Sequence, residues 1–483
     1  MTRRNYRWIK FARRVKASEP RGAAALGAAR HARRRETRLL LELAFPVVCT
    51  QLGIMLMGTV DVMMLGRLSE EGLAAGALGN AVGFGLLVFP MGLLLGLDPL
   101  IAQAHGAGEG GRIAGHLWRG ALLAIVMSIP VSIAMLDAGW LLRVLGQEEP
   151  LRSQAAAYLR ALIPGNAAFL LFGVVRQVLQ GMNIVRPAFF AIVLANVGNA
   201  VANWAFIFGH LGIPALGVEG AGYATSTARW MMLVFLVLVS ARVLRPYRRS
   251  PGREALRPAA FRRLFTLGIP VGFQISLEMW VFGTVAVIMG SIGATQLAGH
   301  QIALNLAALS FMVPLGLAAA AAVRVGNAIG RGDQEGALRA ANVSLAIGAS
   351  VMACFGLLFA TFPHQLARLF TPERGAIEVA AMLLPIAAAF QIADGTQVVG
   401  AGILRGTADT RFPAIIAFLG YWVIGLPAGL VLAFPMGMGP RGLWWGLTLG
   451  LASVAVMFVT RIRVRFRAHI GRAEEHPAEA DGP

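Results

Sequence analysis

Lysine, cysteine and acidic residues are all scarce in this chain of 483 residues. It has 24 Asp and Glu against 43 Lys and Arg, and Lys10 and Lys16 are its only lysines, for a net charge of +19. The basic residues lie in the tails and loops, and no basic helix interleaved with aromatic residues occurs, as a nucleic-acid-binding helix would require. We therefore expect no nucleic-acid partner and interpret the positive charge as a topology signal.

Motifs for catalysis, metal binding and nucleotide hydrolysis are also missing. Cys49 and Cys354 lie in apolar stretches of different halves, so neither a disulfide framework nor a metal pair is indicated. His105 and His300 have no partner at metal-ligand spacing, and no phosphate-binding P-loop occurs. No His, Asp or Ser cluster of the kind that an integral membrane lipid enzyme needs is found. The sequence thus predicts a protein that is not an enzyme and has no cofactor.

Long apolar runs dominate what is present, since 57% of the residues are hydrophobic and only 14% are charged. Successive apolar windows of about 20 residues are typical of transmembrane helices, and the alternation of a membrane β-barrel is absent. We predict an all-α polytopic membrane protein. Its twelve predicted spans are 42–65, 77–101, 118–140, 155–178, 187–209, 219–242, 264–290, 297–322, 341–362, 378–402, 412–434 and 441–461.

The distribution of arginine predicts which side of the membrane each loop occupies. The first 38 residues contain 13 Lys or Arg, the connection "ARVLRPYRRSPGREALRPAAFRR" contains eight arginines and one acid, and the C-terminal run "TRIRVRFR" contains four. Positively charged loops stay in the cytoplasm, so both termini and this central loop are predicted to be cytoplasmic. The N-terminal tail lacks the apolar core of a secretory signal, and we expect it to be disordered and to touch anionic lipid.

The chain also repeats itself with an offset near 225 residues. "GTVDVMMLG" at 58–66 matches "GTVAVIMGS" at 283–291, and "AQAHGAGE" at 102–109 matches "GNAIGRGD" at 326–333. Six spans per copy predict two parallel repeats, as in secondary transporters with the substrate path between the halves. The predicted organisation is a basic tail (1–40), an N-lobe (41–242), a cytoplasmic linker (243–263), a C-lobe (264–462) and a cytoplasmic tail (463–483).

Three acids lie deep within predicted spans, where a carboxylate costs about 3 kcal/mol on insertion scales. They are Asp61 in the first span, Glu278 in the seventh and Asp394 in the tenth. Phe282 follows Glu278 by four residues and shares its helical face, which suits an organic cation because the ring offers a π face beside the charge. Two structural alternatives are an ion pair with Arg160 or Arg229, and a protonated carboxyl that only donates a packing hydrogen bond.

Four stretches carry a family resemblance. "GLDPLIAQAHGAGE", "LQGMNIVRPAFFAIVLANVGNAVANWAFIFG", "LAGHQIALNLAALSFMVPLGLAAAAAVRVGNAIGRGD" and "GTQVVGAGILRGTADTRFPA" resemble, in order and spacing, multidrug and toxic compound extrusion (MATE) transporters, and within them the bacterial NorM-like branch. The resemblance covers about residues 40 to 462. It implies a V-shaped fold of two six-helix lobes and export of cationic, amphipathic compounds in exchange for H+ or Na+.

In the C-lobe, the resemblance implies a coupling-ion and substrate site formed by Glu278 and Asp394, facing each other, with Phe282 and Phe390 beside them. Some NorM-like members carry a tyrosine where this chain has Phe390. The missing hydroxyl oxygen weakens the case for Na+, which is a hard cation, at this pair.

In the N-lobe, the resemblance implies a cation or proton network formed by Asp61, Asn199, Asn203 and Thr225. Some members have a second aspartate at the position of Asn203, and a single carboxylate suits a proton relay at least as well as Na+. Intramembrane asparagines also serve simply to bond neighbouring helices. Asp98 is expected near the cytoplasmic interface as a candidate gate or helix-end residue.

These observations predict a monomeric multidrug antiporter of the bacterial inner membrane that exports small cationic or amphipathic drugs by alternating access. Neutralisation of Asp61 or of the Glu278/Asp394 pair by the incoming ion would release the drug outside. The nearest alternative is a lipid-linked saccharide flippase of the same superfamily, which needs cationic residues in its central cavity. An integral membrane lipid enzyme is a more distant alternative.

Overall fold

Twelve helices of membrane-spanning length occur in the part of the chain that the structure describes, as the sequence predicted. The computed structural model describes residues 22–248 and 258–468, and no β-strand occurs in these ranges. The twelve helices are α1 (Gly22–Gly66), α2 (Glu70–Gly106), α3 (Gly110–Leu136), α4 (Leu151–Gly181), α5 (Arg186–Phe208), α6 (Gly217–Val239), α7 (Pro258–Ile292), α8 (Ala294–Gly330), α9 (Gln334–Thr361), α10 (Arg374–Gly406), α11 (Arg411–Ala433) and α12 (Pro440–Arg467).

Two of these helices change their geometry part-way. Helix α2 consists of the segments Glu70–Leu94 and Leu97–Gly106, and α11 contains a π-helical segment, Leu419–Gly425. The remaining described helical elements are short connections: Ala138–Val144, Ala241–Leu244, the 3₁₀ turn Arg245–Tyr247 and Pro363–Arg368. Prolines lie inside most of the long helices, where each removes one backbone hydrogen bond and favours a kink. Pro46 and Pro90 have counterparts Pro270 and Pro314 at the repeat offset.

The hydrophobic core is divided between two lobes, each formed by one copy of the repeat. One buried cluster draws almost entirely on α1–α6, the N-lobe, and the other mainly on α7–α12, the C-lobe. The outer helix faces expose large apolar side chains such as Trp140, Val197 and Leu357, as expected for lipid-facing surfaces. The predicted all-α polytopic membrane fold is confirmed.

The ends of the predicted segments need correction. Helix α1 begins at Gly22, so the predicted disordered tail is helical from that residue, and Glu36 and Leu40 are buried in the protein. Helix α7 begins at Pro258, within the predicted linker, and α12 continues to Arg467, within the predicted C-terminal tail. Helices extend beyond the apolar runs because their polar ends pack on neighbouring helices. The predictions for residues 1–21, 249–257 and 469–483 lie outside the described residues.

Inter-lobe contacts concentrate on the membrane side that holds the start of α1 and the end of α12, which we name the terminal side. The opposite side is the far side. Backbones approach closely at glycines here: a Cβ on Gly96 would lie 2.7 Å from the Cα of Gly268, and one on Gly106 would lie 2.2 Å from the carbonyl oxygen of Asn327. Only glycine permits such proximity between helices. The two lobes are therefore closed against each other on the terminal side.

Candidate ion and substrate sites in the two lobes

Polar side chains join the lobes on the terminal side. Arg324 donates from Nε to Glu36 Oε1 and from Nη2 to Glu36 Oε2, both at 2.8 Å. Arg405 Nε lies 3.1 Å from Asp98 Oδ2. Two further hydrogen bonds occupy corresponding positions in the two copies of the repeat. Gln103 Nε2 donates to the carbonyl oxygen of Gly406 at 2.9 Å, and Asn327 Nδ2 donates to that of Gly181 at 3.2 Å. We call these four pairs the terminal-side contacts.

Asp98 therefore lies in an inter-lobe ion pair rather than at an exposed helix end. Its side chain is buried, with Arg405 as its ion-pair partner and Arg176 within electrostatic range. Three further arginines lie within the long helices, near their terminal-side ends: Arg176, Arg324 and Arg405. Arg324 and Arg405 lie there because their helices continue past the predicted apolar spans.

The N-lobe site is a hydrogen-bonded cluster around Asp61, which is 1% exposed. Asn203 Nδ2 donates to Asp61 Oδ1 at 2.6 Å, and the Thr225 hydroxyl donates to Asp61 Oδ2. Asn203 also donates to Asn199 Oδ1 at 3.1 Å. The structure thus brings together the four residues Asp61, Asn199, Asn203 and Thr225, from α1, α5 and α6. Donors placed on neighbouring helices compensate the buried carboxylate for the water that it loses.

A fifth member of this cluster was missed in the sequence. Tyr158 of α4 is 1% exposed, and its hydroxyl lies 3.5 Å from Asp61 Oδ2. The residue starts an apolar span, where a tyrosine is read as an interfacial or packing residue. Its membership depends on how α4 packs against α1, which no local pattern reveals. We define the N-lobe site as Asp61, Tyr158, Asn199, Asn203 and Thr225.

The C-lobe site contains the second pair of intramembrane acids. The carboxylates of Glu278 on α7 and Asp394 on α10 interact electrostatically with each other. Glu278 is also in contact with the side chains of Tyr421 on α11 and Gln397 on α10. Asp394 is 3% exposed and Tyr421 1%. Two carboxylates that share one site repel each other, so a cation bound between them lowers the energy of the pair.

Tyr421 changes the interpretation of Phe390. The sequence places a ring without a hydroxyl at position 390, and this missing oxygen weakens the case for Na+. In the folded protein, however, α11 brings the phenol of Tyr421 towards Glu278 and Asp394. This tyrosine lies in the π-helical segment Leu419–Gly425, a geometry that often occurs at functional sites. The π-helical turn, which is wider than an α-helical turn, cannot be predicted from the apolar sequence of this span.

Aromatic rings line one side of the acidic pair. Phe282 and Phe390 meet edge to face with ring centroids 6.1 Å apart, and Phe390 lies 6.0 Å from Trp444 of α12. Trp444 Nε1 donates to His300 Nδ1 at 3.1 Å, which fixes the indole. The ring faces and edges of this row suit an organic cation. We define the C-lobe site as Glu278, Asp394, Gln397, Tyr421, Phe282, Phe390 and Trp444.

Neither site contains the ligand set of a transition metal. Throughout the parts of the chain that the structure describes, no three His, Cys, Asp or Glu side chains form a cluster. The polar atoms of both sites are instead carboxylate, amide and hydroxyl oxygens, which are the ligands of hard cations.

Comparison with known proteins supports the two-lobe fold and shows the family. The sequence matches the family MatE over residues 46–205 and 270–431, with one segment in each lobe. Similar solved structures include the eukaryotic MATE transporter AtDTX14, with a TM-score of 0.84 and 23% identity over 90% of this chain and 96% of that chain. A MOP superfamily transporter from Pyrococcus furiosus has a TM-score of 0.79 and 24% identity over 90% and 96% of the two chains. Both likenesses extend over both lobes, and the chain belongs to the MatE family of membrane transporters.

Proposed function

We propose that the protein is a secondary active exporter that antiports small cationic, amphipathic compounds against H+ or Na+ entering the cell. The C-lobe site is the observation that carries this proposal. It combines two carboxylates, Glu278 and Asp394, with a row of aromatic rings, so it offers both parts of an organic-cation site. The same oxygens would attract a proton or Na+, so drug and coupling ion would compete for one negative charge.

The proposed orientation places both chain ends in the cytoplasm of a bacterial inner membrane. The terminal side carries Arg242, Arg245 and Arg248 after α6 and Arg463 and Arg465 near the end of α12. The far-side connections balance their arginines with acids. This asymmetry follows the positive-inside rule. With this orientation, the terminal-side contacts close the cytoplasmic end, as expected for an outward-facing state.

The proposed cycle follows from this state. The coupling ion enters from outside and neutralises the carboxylate charge of one of the two lobe sites. This weakens the attraction of the site for a cationic drug, and the drug is released. The terminal-side contacts then break, the lobes rock, and the ion leaves to the cytoplasm. The membrane potential contributes about 2.3 kcal/mol for each charge moved through 100 mV, so inward cation movement can drive export.

A lipid-linked saccharide flippase is the second candidate within this fold. The solved Pyrococcus furiosus transporter is described as having a binding pocket of reverse polarity that suggests a different function. A flippase that carries an anionic pyrophosphate needs a cationic cavity. The described C-lobe site is acidic, which favours the exporter. An integral membrane lipid enzyme receives no support from any cluster among the described residues.

Transport in reconstituted vesicles tests the proposal. We expect efflux of an organic cation when a pH gradient or a Na+ gradient is imposed alone, and the effective gradient identifies the coupling ion. Glu278→Gln and Asp394→Asn should each reduce this efflux at least tenfold. Efflux that neither gradient drives, or that persists unchanged in both variants, would reject the exporter. Movement of a lipid pyrophosphate without cation efflux would identify a flippase.

A further inference from the structure

An arginine lies beside the N-lobe site. Arg229 is on α6, one turn after Thr225, so the two side chains share a helical face. Its Nη1 donates to Asn166 Oδ1 at 3.0 Å, and its Cζ lies 4.9 Å from the centre of the Phe169 ring. Asn166 is fully buried. The guanidinium is therefore held at a defined place by α4, and arginine retains its charge in such a setting.

The charge of Arg229 acts on the N-lobe site. The guanidinium is within electrostatic range of the Asp61 carboxylate and of Tyr158, although its direct hydrogen bond goes to Asn166. Asp61 is the one carboxylate of this cluster. One positive and one negative charge therefore leave the N-lobe site close to electrically neutral.

The C-lobe site has the opposite balance. Glu278 and Asp394 have each other, Tyr421 and Gln397 as electrostatic or hydrogen-bonding neighbours, and none of these carries a positive charge. Two carboxylates without a counter-charge attract a cation, whereas a neutral pair does not. In the repeat, Ala286 occupies the position that corresponds to Asp61, so the two lobes differ in this residue as well as in net charge.

Apart from charge, the N-lobe site would suit Na+. The two Asp61 oxygens, the hydroxyls of Thr225 and Tyr158, and the amide groups of Asn199 and Asn203 belong to one hydrogen-bonded cluster. Asn203 Oδ1 is buried and has no hydrogen-bond partner. Oxygen ligands are therefore present, and the positive charge of Arg229 is the feature that opposes Na+.

We propose that Arg229 is a built-in counter-cation for Asp61 that keeps Na+ out of the N-lobe site, and that removing its charge converts this site into a Na+ site. The proposal rests on the proposed function only in assigning the coupling ion to the C-lobe. Removing a unit charge within electrostatic range, at an effective dielectric constant of about 20, changes ion affinity by on the order of 50-fold.

Binding of ²²Na+ to the purified full chain tests the proposal directly. The background is Glu278→Gln/Asp394→Asn, so that only the N-lobe can contribute. We expect Na+ binding too weak to saturate in this background, and saturable binding, at least thirtyfold tighter, after Arg229→Gln is added. Arg229→Met, which retains an apolar stem over Phe169, should behave in the same way. Adding Asp61→Asn should abolish the new binding.

Two controls separate charge from structure. Arg229→Lys keeps the charge and should bind no Na+, and Arg160→Gln removes an exposed arginine from α4 and should also bind none. Absence of Na+ binding in monodisperse Arg229→Gln and Arg229→Met proteins overturns the proposal. Asp61-dependent Na+ binding with Arg229 intact overturns it as well. Because the assay needs no transport, failure of the exporter proposal is detected separately, in vesicles.

Discussion

Single buried polar side chains hold the helices of each lobe in register at their sites. Asp61 receives hydrogen bonds from Thr225 and Asn203, on two different helices. Where neither lipid nor protein offers a substitute partner, loss of one donor leaves the carboxylate unsatisfied. The stability of the N-lobe should therefore depend on each of these donors.

Thr225→Val tests this dependence. The substitution preserves shape but removes the hydroxyl that donates to Asp61, so we expect the free energy of unfolding to fall by about 1 kcal/mol. Titration with a denaturing detergent measures the change. Thr227→Val is the matched control, since the Thr227 hydroxyl is on the same helix but bonds the carbonyl oxygen of Tyr223 in its own turn. Equal destabilisation by both variants would contradict the prediction.

The sequence predicted which residues are candidates for a site better than it predicted which side chains contact each other. Asp61, Asn199, Asn203 and Thr225 could be grouped because polar residues inside apolar spans are costly and a family resemblance connects them. Tyr158 and Tyr421 could not, because each reaches its acid only through the packing of a further helix. Asp98 was identified as polar, but its partner Arg405 lies beyond the apolar window of the tenth span.

Helix-to-helix distance determines where Tyr421 lies. Helices α11 and α12 meet at glycines, and a Cβ on Gly446 would lie 2.2 Å from the Cα of Gly429 and 2.6 Å from the carbonyl oxygen of Gly425. Gly425 ends the π-helical segment that carries Tyr421. The sequence predicted both helices, but the π turn and this close approach cannot be predicted from an apolar span.

Gly446→Ala should disturb this contact. The added methyl group meets backbone atoms that cannot move aside, so we expect a loss of about 1–3 kcal/mol in unfolding free energy, of the order that overpacking usually costs. Displacement of α11 should also weaken organic-cation binding, measured by equilibrium binding. Gly173→Ala on α4 is the control, because a Cβ there meets nothing within 4 Å. It should be neutral or stabilising, since alanine favours helix. Unchanged stability and binding in Gly446→Ala would refute this role of the glycine contact.

The whole molecule has two lobes that contact each other mainly at one side. Two of the terminal-side contacts, from Gln103 and Asn327, are counterparts of each other in the repeat. The ion pairs of Glu36 and Asp98 are not related in this way. The repeat itself predicted the symmetric architecture. The Glu36 ion pair escaped prediction because Glu36 lies in a segment expected to be disordered.

Asp98→Asn should shift the equilibrium between the state in which the lobes are closed on the terminal side and the state in which they are separated there. It leaves Arg405 without its carboxylate in a buried inter-lobe contact, which is costly and favours separation of the lobes on the terminal side. Spin labels at Arg186→Cys and Arg411→Cys, in a chain with Cys49 and Cys354 replaced by alanine, report that separation by double electron–electron resonance. We expect a larger population of long distances.

Labels at the far side provide the control for this measurement. Leu211 and Met436 are exposed, are related by the repeat and lie between spans on the opposite side. Their distance should shorten in Asp98→Asn if the lobes rock as rigid bodies. Lengthening at both sides would indicate general loosening instead, and unchanged distributions would show that the ion pair does not control the gate.

Competition between an organic cation and the coupling ion for Glu278 and Asp394 is the central claim. Its most direct test is equilibrium binding of a fluorescent organic cation to the purified protein, with titration of Na+ and of acid. We predict that Na+ or protons displace the cation, and that Glu278→Gln/Asp394→Asn lowers its affinity at least tenfold and removes the competition. Equal affinity and equal competition in this double variant would contradict the claim.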